Sequence, residues 1–329
     1  MNFSAGESNF TVVLMERDTF ETALTKNIIV VALCLSINYI NSTLVHTFTK
    51  HQVFNTNPRY ILFIHLVVND MLQLTLACLL HVLSYIVYTL NVSFCCLLLV
   101  FLIFTTFNTP VNLATMAIER YIAVCLPLRH AQICTVRRTY MVIGLMWAVS
   151  AIPILKEVFT LLATEPFSFF KTRIFCWREN VFKSTTTSVN QYIPHYIFLA
   201  LVWLSLLYTY LSIMFAARAA SGDARKARNT ILLHGLQLLL CMISYVRSAL
   251  EGGLLYLFPT KLLEIRFFSY VIVQIIPRFV SPIVYGLRDQ TFRKHLKGYL
   301  LCRVNASTYT QNGTLCNISG KRTRLARRD

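Results

Sequence analysis

Four stretches of this chain contain no Asp, Glu, Lys or Arg: residues 27–49, 71–118, 139–155 and 184–217. A helix needs roughly 20 apolar residues to cross the hydrocarbon of a bilayer. Each stretch is at or near that length, and 71–118 is long enough for two crossings. A soluble protein with a large core would scatter charge through windows of this size. A soluble domain carries about a quarter charged residues; this one carries 14%, with 56% hydrophobic and a mean hydropathy of +0.56. The solvent of the folded chain is therefore lipid. Membrane barrels alternate apolar and polar residues along each strand, and these runs do not, so the spans are helices.

Seven spans are expected, near 27–49, 60–88, 96–118, 140–162, 192–216, 230–255 and 267–286, with "NVSFCC" (91–96) as the turn between the second and third. Residues 1–26 form a polar segment before a seven-helix bundle (27–286). "LRDQTFRKHLKGYLL" spaces Phe292, Leu296 and Leu300 four apart with Arg293, Lys294 and Lys297 between them. That is a short amphipathic eighth helix (287–301) suited to the membrane interface. Residues 302–329, basic and rich in Ser, Thr and Asn, read as a disordered tail. Its hydroxyls are acceptors for kinases, and Cys302 is a candidate for palmitoylation.

Lys and Arg set the orientation. With the N-terminus outside, twenty of them fall on the inner side: Lys50 and Arg59, then Arg120, Arg129, Arg137 and Arg138, then Arg218, Arg225, Lys226 and Arg228, and ten from Arg288 onward. Seven fall outside. The topology is N-out and C-in, and the net charge of +17 is mostly this inner excess, facing anionic lipid heads and an intracellular partner rather than nucleic acid. The first 26 residues lack a basic start followed by an apolar core, so the first span is expected to act as the insertion signal.

Cys34, Cys78, Cys125, Cys134 and Cys241 fall within spans or on the inner side, where thiols stay reduced. Outside stand Cys95, Cys96 and Cys176, the last being the sole cysteine of the loop 163–191. A bond from either neighbour to Cys176 would pin that loop over the bundle. "NFS" at Asn2 and "NFT" at Asn9 are glycosylation acceptors on the outer side.

Four motifs occur in order on the expected spans: "NPRYILFIHLVVND" (57–70), "MAIERYIAVCLPLRH" (116–130), "KARNTILLHGL" (226–236) and "PRFVSPIVYGLRDQTFRKHL" (277–296). Together they resemble the signatures of odorant receptors, a branch of the rhodopsin-like G protein-coupled receptors, and look most like the fish type. Departures are Glu119 where the family has Asp, Ser281 where it has Asn, one outer-loop cysteine where many members have three, and no proline at the family's place in the fifth span.

The resemblance implies a receptor that binds a small-molecule odorant and activates a heterotrimeric G protein of the stimulatory, cAMP-raising class. It implies a place in the plasma membrane, in the cilia of olfactory neurons, with arrestin and receptor kinases as further partners. Cys95 becomes the expected partner of Cys176. Glu119 and Arg120 become a switch: each neutralises the other at rest, since buried charge is expensive unless paired. Arg120 then turns to the transducer when the helices open. Tyr121 belongs to the same motif, and Tyr210, Tyr285 and His234 match family positions near that arginine. A plain charge pair at the membrane edge, interfacial tyrosines and a packed histidine are the alternatives.

Asp70 within "VVNDMLQ" must face the bundle interior or a watery cavity. The resemblance places Asn41 and Ser281 on neighbouring helices, where they would complete a polar cluster with it, either a sodium site as in related receptors or a satisfied hydrogen-bond network. Thr105, Thr109 and Asn112 recur as one polar helix stripe, flanked by Thr106 and Asn108, which either faces a ligand or bonds back near Pro110. The family's pocket, carried over by position, gives Leu102, Thr106, His195, Tyr245, Ala249 and Gln274. Arg247 and Glu251 are spaced to pair along the sixth span, and Lys156, Glu157, Arg173 and Arg178 make the outer mouth basic.

A rhodopsin-like receptor for a non-odorant ligand is the nearest alternative. A transporter would bring internal repeats and paired broken helices; no repeat is found, and Arg278 within the seventh span is its best support. An intramembrane enzyme has no HExxH or GxSxG motif to stand on.

Overall fold

A computed structural model of the chain describes residues 19–182, 189–219, 251, 253–258 and 261–280. The first five spans appear as helices Phe20–Lys50, Pro58–Ile86, Val92–Cys125, Val136–Thr164 and Val189–Ala219. The first four are long and apolar enough to cross a membrane, and the fifth has an apolar stretch at Ala200–Phe215. The seventh begins as Leu262–Tyr270, continues as a π-helix over Val271–Ile275 and returns to α-helix over 276–280. The eighth helix, the tail and most of the sixth span lie outside the described residues.

The helices outrun the apolar stretches because capping side chains, not hydropathy, set their ends. Asn57 accepts from the Arg59 amide, with Pro58 in the first turn where its missing N–H is harmless. Thr135 accepts from the Arg138 amide, and Thr19 from that of Thr22. Asn91 accepts from the Ser93 amide at 2.9 Å. The cap at Asn91 moves one boundary: "NVSFCC" is mostly the first turn of the third helix rather than the turn before it. The reversal lies at 87–91, where Tyr88 takes φ 58° and the Thr89 amide bonds the Val87 carbonyl.

The third helix is the axis of the bundle, packing against the second, fourth and fifth. Ala114 and Ala117 let Val202 of the fifth approach closely. Buried apolar residues form layers. One gathers Ile37, Leu74 and Ile275 from spans one, two and seven. The next, toward Arg120, gathers Leu44, Leu66, Val67 and Leu113, with Val280 packed on it. A third layer lies under the loop that follows span four, around Leu99, Ile103, Ile154 and Cys176. Leu145, Ile152, Phe159, Leu201 and Leu204 point outward and exposed, the face a lipid solvent requires.

Candidate functional site

At one end, Cys95 on the first turn of span three is bonded to Cys176, while Cys96 remains a free thiol. The loop is held further by a two-residue antiparallel ladder, Leu90–Asn91 against Arg173–Ile174, and by Ser93 Oγ donating to the Phe170 carbonyl at 2.9 Å. Arg266 of span seven lies over the Trp177 ring at 5.5 Å, tying the loop to that helix as well. Arg178 is hydrogen-bonded to buried Glu157 of span four, so its charge is neutralised and less of it is left to make the mouth basic.

At the opposite end, Glu119 is 7% exposed and its Oε1 lies 3.1 Å from His130 Nε2. The described partner of Glu119 is therefore His130 rather than Arg120. The short helix Pro127–Ile133 folds back beneath span three and brings the imidazole to the carboxylate. Neighbouring side chains on one helix diverge, so Glu119 and Arg120 face different surroundings. Arg120 is half-buried, the Tyr121 ring lies 6.1 Å from Tyr208, and Tyr210 is half-buried on span five. Burial pushes the Cys134 thiol up, and the Glu119 carboxylate adds to it, so no second anion forms beside the carboxylate. His234 and Tyr285 lie outside the described residues.

Between the ends, Asp70 is 2% exposed and Asn41 is fully buried. The Asn41 amide has no hydrogen-bond partner among the described residues; Ser281 lies outside them. The threonine stripe faces span two. Asn69 Nδ2 donates to the Thr105 carbonyl and to Thr109 Oγ1, both at 3.0 Å, and Gln73 Nε2 donates to Thr106 Oγ1 at 2.7 Å. Thr105 also bonds back to the Phe101 and Leu102 carbonyls. Sequence reasoning passed over Gln73, His65 and Trp147. Trp147 Nε1 donates to His65 Nε2 at 2.7 Å, and His65 Nδ1 lies 2.8 Å from the Asn112 amide. An imidazole nitrogen that accepts carries no proton, so the neutral ring keeps its proton on Nδ1. It satisfies both neighbours only with Asn112 Oδ1 turned to accept. This links spans two, three and four.

In span seven, Pro277 has no N–H to return to the preceding turn. Arg278, 4% exposed, fills the gap: its Nη1 donates to the carbonyls of Val273 at 2.8 Å and Gln274 at 3.0 Å. Asn41 stands four residues beyond Ile37 and three before Leu44; Asp70 stands three beyond Val67 and four before Leu74; Arg278 stands three beyond Ile275 and two before Val280. All three therefore lie between the same two apolar layers. A sodium ion at Asp70 would share that layer with a guanidinium. One carboxylate neutralises one of two such cations, and the two cations repel each other. The residues present do not fit a second cation.

Of the six carried-over pocket residues, Leu102, Thr106 and Gln274 are half-buried, and His195 is on the fifth helix. Tyr245 and Ala249 lie outside the described residues, as do Arg247, Asn2, Asn9 and Cys302. Thr106 is already committed to Gln73. Glu251 accepts from Ser269 Oγ, joining spans six and seven. Between those spans is a cavity of about 360 Å³ walled by Leu254, Phe258, Phe268 and Ile272, and among the described residues Leu102, Thr106 and Gln274 do not line it.

The architecture defines a class. Residues 40–285 match the 7 transmembrane receptor (rhodopsin family), and the chain belongs to that family. It is a multi-pass membrane receptor, not an enzyme. Among individual proteins, it is 28% identical over 310 residues to odorant receptor 131-2 of Danio rerio, covering 92% of each chain. It is 27% identical over 204 residues to human olfactory receptor 9A2, covering 56% of this chain and 61% of the other. The figure for human olfactory receptor 52A1 is 26% over 199 residues, with the same coverage.

Proposed function

We propose that the protein is an odorant receptor, N-terminus outside, which binds a small molecule in the half of the bundle beneath the disulfide-pinned loop. Binding activates a heterotrimeric G protein of the stimulatory class at the Arg120 end. The observation that carries this reading is the likeness to a fish odorant receptor along 92% of both chains. The layered packing supports it, because a shift of span three moves both ends together. The pocket is mostly apolar with a few directing groups, as small-molecule sites generally are.

The ciliary membrane of olfactory neurons is its proposed location, with anionic lipids along the inner basic surface. The tail is the proposed substrate of receptor kinases and, once phosphorylated, a contact for arrestin. The test is a cAMP screen of transfected cells with water-soluble odorants, run beside Arg120→Ala at matched surface expression. A ligand-dependent rise that Arg120→Ala abolishes is expected. A rise untouched by the substitution would overturn the switch, and silence of wild type across a broad panel that activates other fish receptors would overturn the odorant reading.

A further inference from the structure

We propose that Arg278 is the resident cation of the Asp70 layer: its guanidinium supplies the positive charge this carboxylate needs, and the receptor uses no sodium ion there. Three observations lead to this. Asp70 and Arg278 are both buried, at 2% and 4% exposure. They come from different helices and lie at one depth, because each is bracketed by the same pair of apolar layers, Ile37–Leu74–Ile275 on one side and Leu44–Val67–Val280 on the other. The same layer holds the Asn41 amide, fully buried with neither its oxygen nor its nitrogen hydrogen-bonded among the described residues.

Closing the turn at Pro277 accounts for only part of Arg278. That task uses Nη1 alone, donating to the Val273 and Gln274 carbonyls. A guanidinium has five N–H donors, and these two carbonyls account for two of them. A neutral amide could bond those carbonyls without bringing charge into the membrane, whereas a buried cation far from an anion is expensive. The buried carboxylate one helix away makes the charge tolerable, and the reverse holds for Asp70. Because Arg278 is fixed to the backbone of span seven, this cation cannot leave when the helices move. The link between spans two and seven then persists through activation instead of breaking with the loss of an ion.

The test uses the full chain purified into nanodiscs, with sodium chloride as the probe and potassium chloride as the control for ionic strength. Wild-type melting temperature is expected to be the same in both salts. Arg278→Gln keeps a donor for the Val273 and Gln274 carbonyls but removes the charge, and sodium is expected to raise its melting temperature by a few degrees over potassium. Asp70→Asn, which strands the guanidinium, is expected to melt lower than wild type, and Asp70→Asn/Arg278→Gln to recover part of that loss. Selective stabilisation of wild type by sodium would overturn the proposal, as would strict additivity of the two substitutions. If Arg278→Gln does not fold, the wild-type salt comparison and the Asp70→Asn pair still decide it. The experiment needs no ligand, so its result is separate from the odorant screen.

Discussion

At the scale of single residues, the Arg120 end is organised by a contact between spans and loop. The Glu119 carboxylate is buried and His130 is its partner, eleven residues on. A partly buried pair of this kind is worth about 1 kcal/mol, or roughly fivefold in a two-state balance. If it holds the resting state, Glu119→Gln and His130→Ala should each raise ligand-independent cAMP by about that factor, and the double variant should add little more. Strictly multiplicative effects would show that the two residues act separately. Trp147→Phe tests the other residue-scale device. It leaves His65 Nε2 without its donor and should cost about 1–3 kcal/mol of stability, read as a lower melting temperature. An unchanged melting temperature would show that the bond between spans two and four contributes nothing. Neither device was legible in the sequence. His65 and Trp147 are 82 residues apart, and hydropathy says how deep a residue lies but not which way its helix turns.

At the scale of elements, the spans were legible and their edges less so. Lipid admits only backbone that satisfies itself, so an uncharged run of sufficient length announces a helix without any knowledge of its neighbours. The edges follow Asn57, Asn91 and Thr135, whose caps extend helices past the apolar residues and moved the expected turn at 91–96 back to 87–91. The π-turn over Val271–Ile275 was not foreseen, although Pro277 followed by Arg278 was its signal: a lost donor beside a long one. The choice between Cys95 and Cys96 could not be made from spacing, since either lies near the loop. It depends on which face of span three meets the layer beneath the loop, and Cys95 is the buried one. Closing a loop of this size stabilises by about 4 kcal/mol in the chain-entropy picture. Cys95→Ser and Cys176→Ser should therefore both lose most surface expression, and Cys96→Ser should not. Loss with Cys96→Ser and retention with Cys95→Ser would reverse the assignment.

At the scale of the whole molecule, the bundle is a stack of layers threaded by span three, with the disulfide at one end and Glu119–Arg120 at the other. Membership of the rhodopsin family and the seven expected spans agree on an odd number of crossings. Everything proposed about ligand and transducer depends on the two ends facing different compartments. The expectation that they do comes from the uneven distribution of Lys and Arg, because the bias acts on loops during insertion rather than through the fold. The most direct measurement is antibody access to an epitope tag at one terminus or the other, on intact and on permeabilised cells. The N-terminal tag should be stained on intact cells and the C-terminal tag only after permeabilisation. Staining of both tags on intact cells, or of neither, would mean an even number of crossings and would contradict the account at its base.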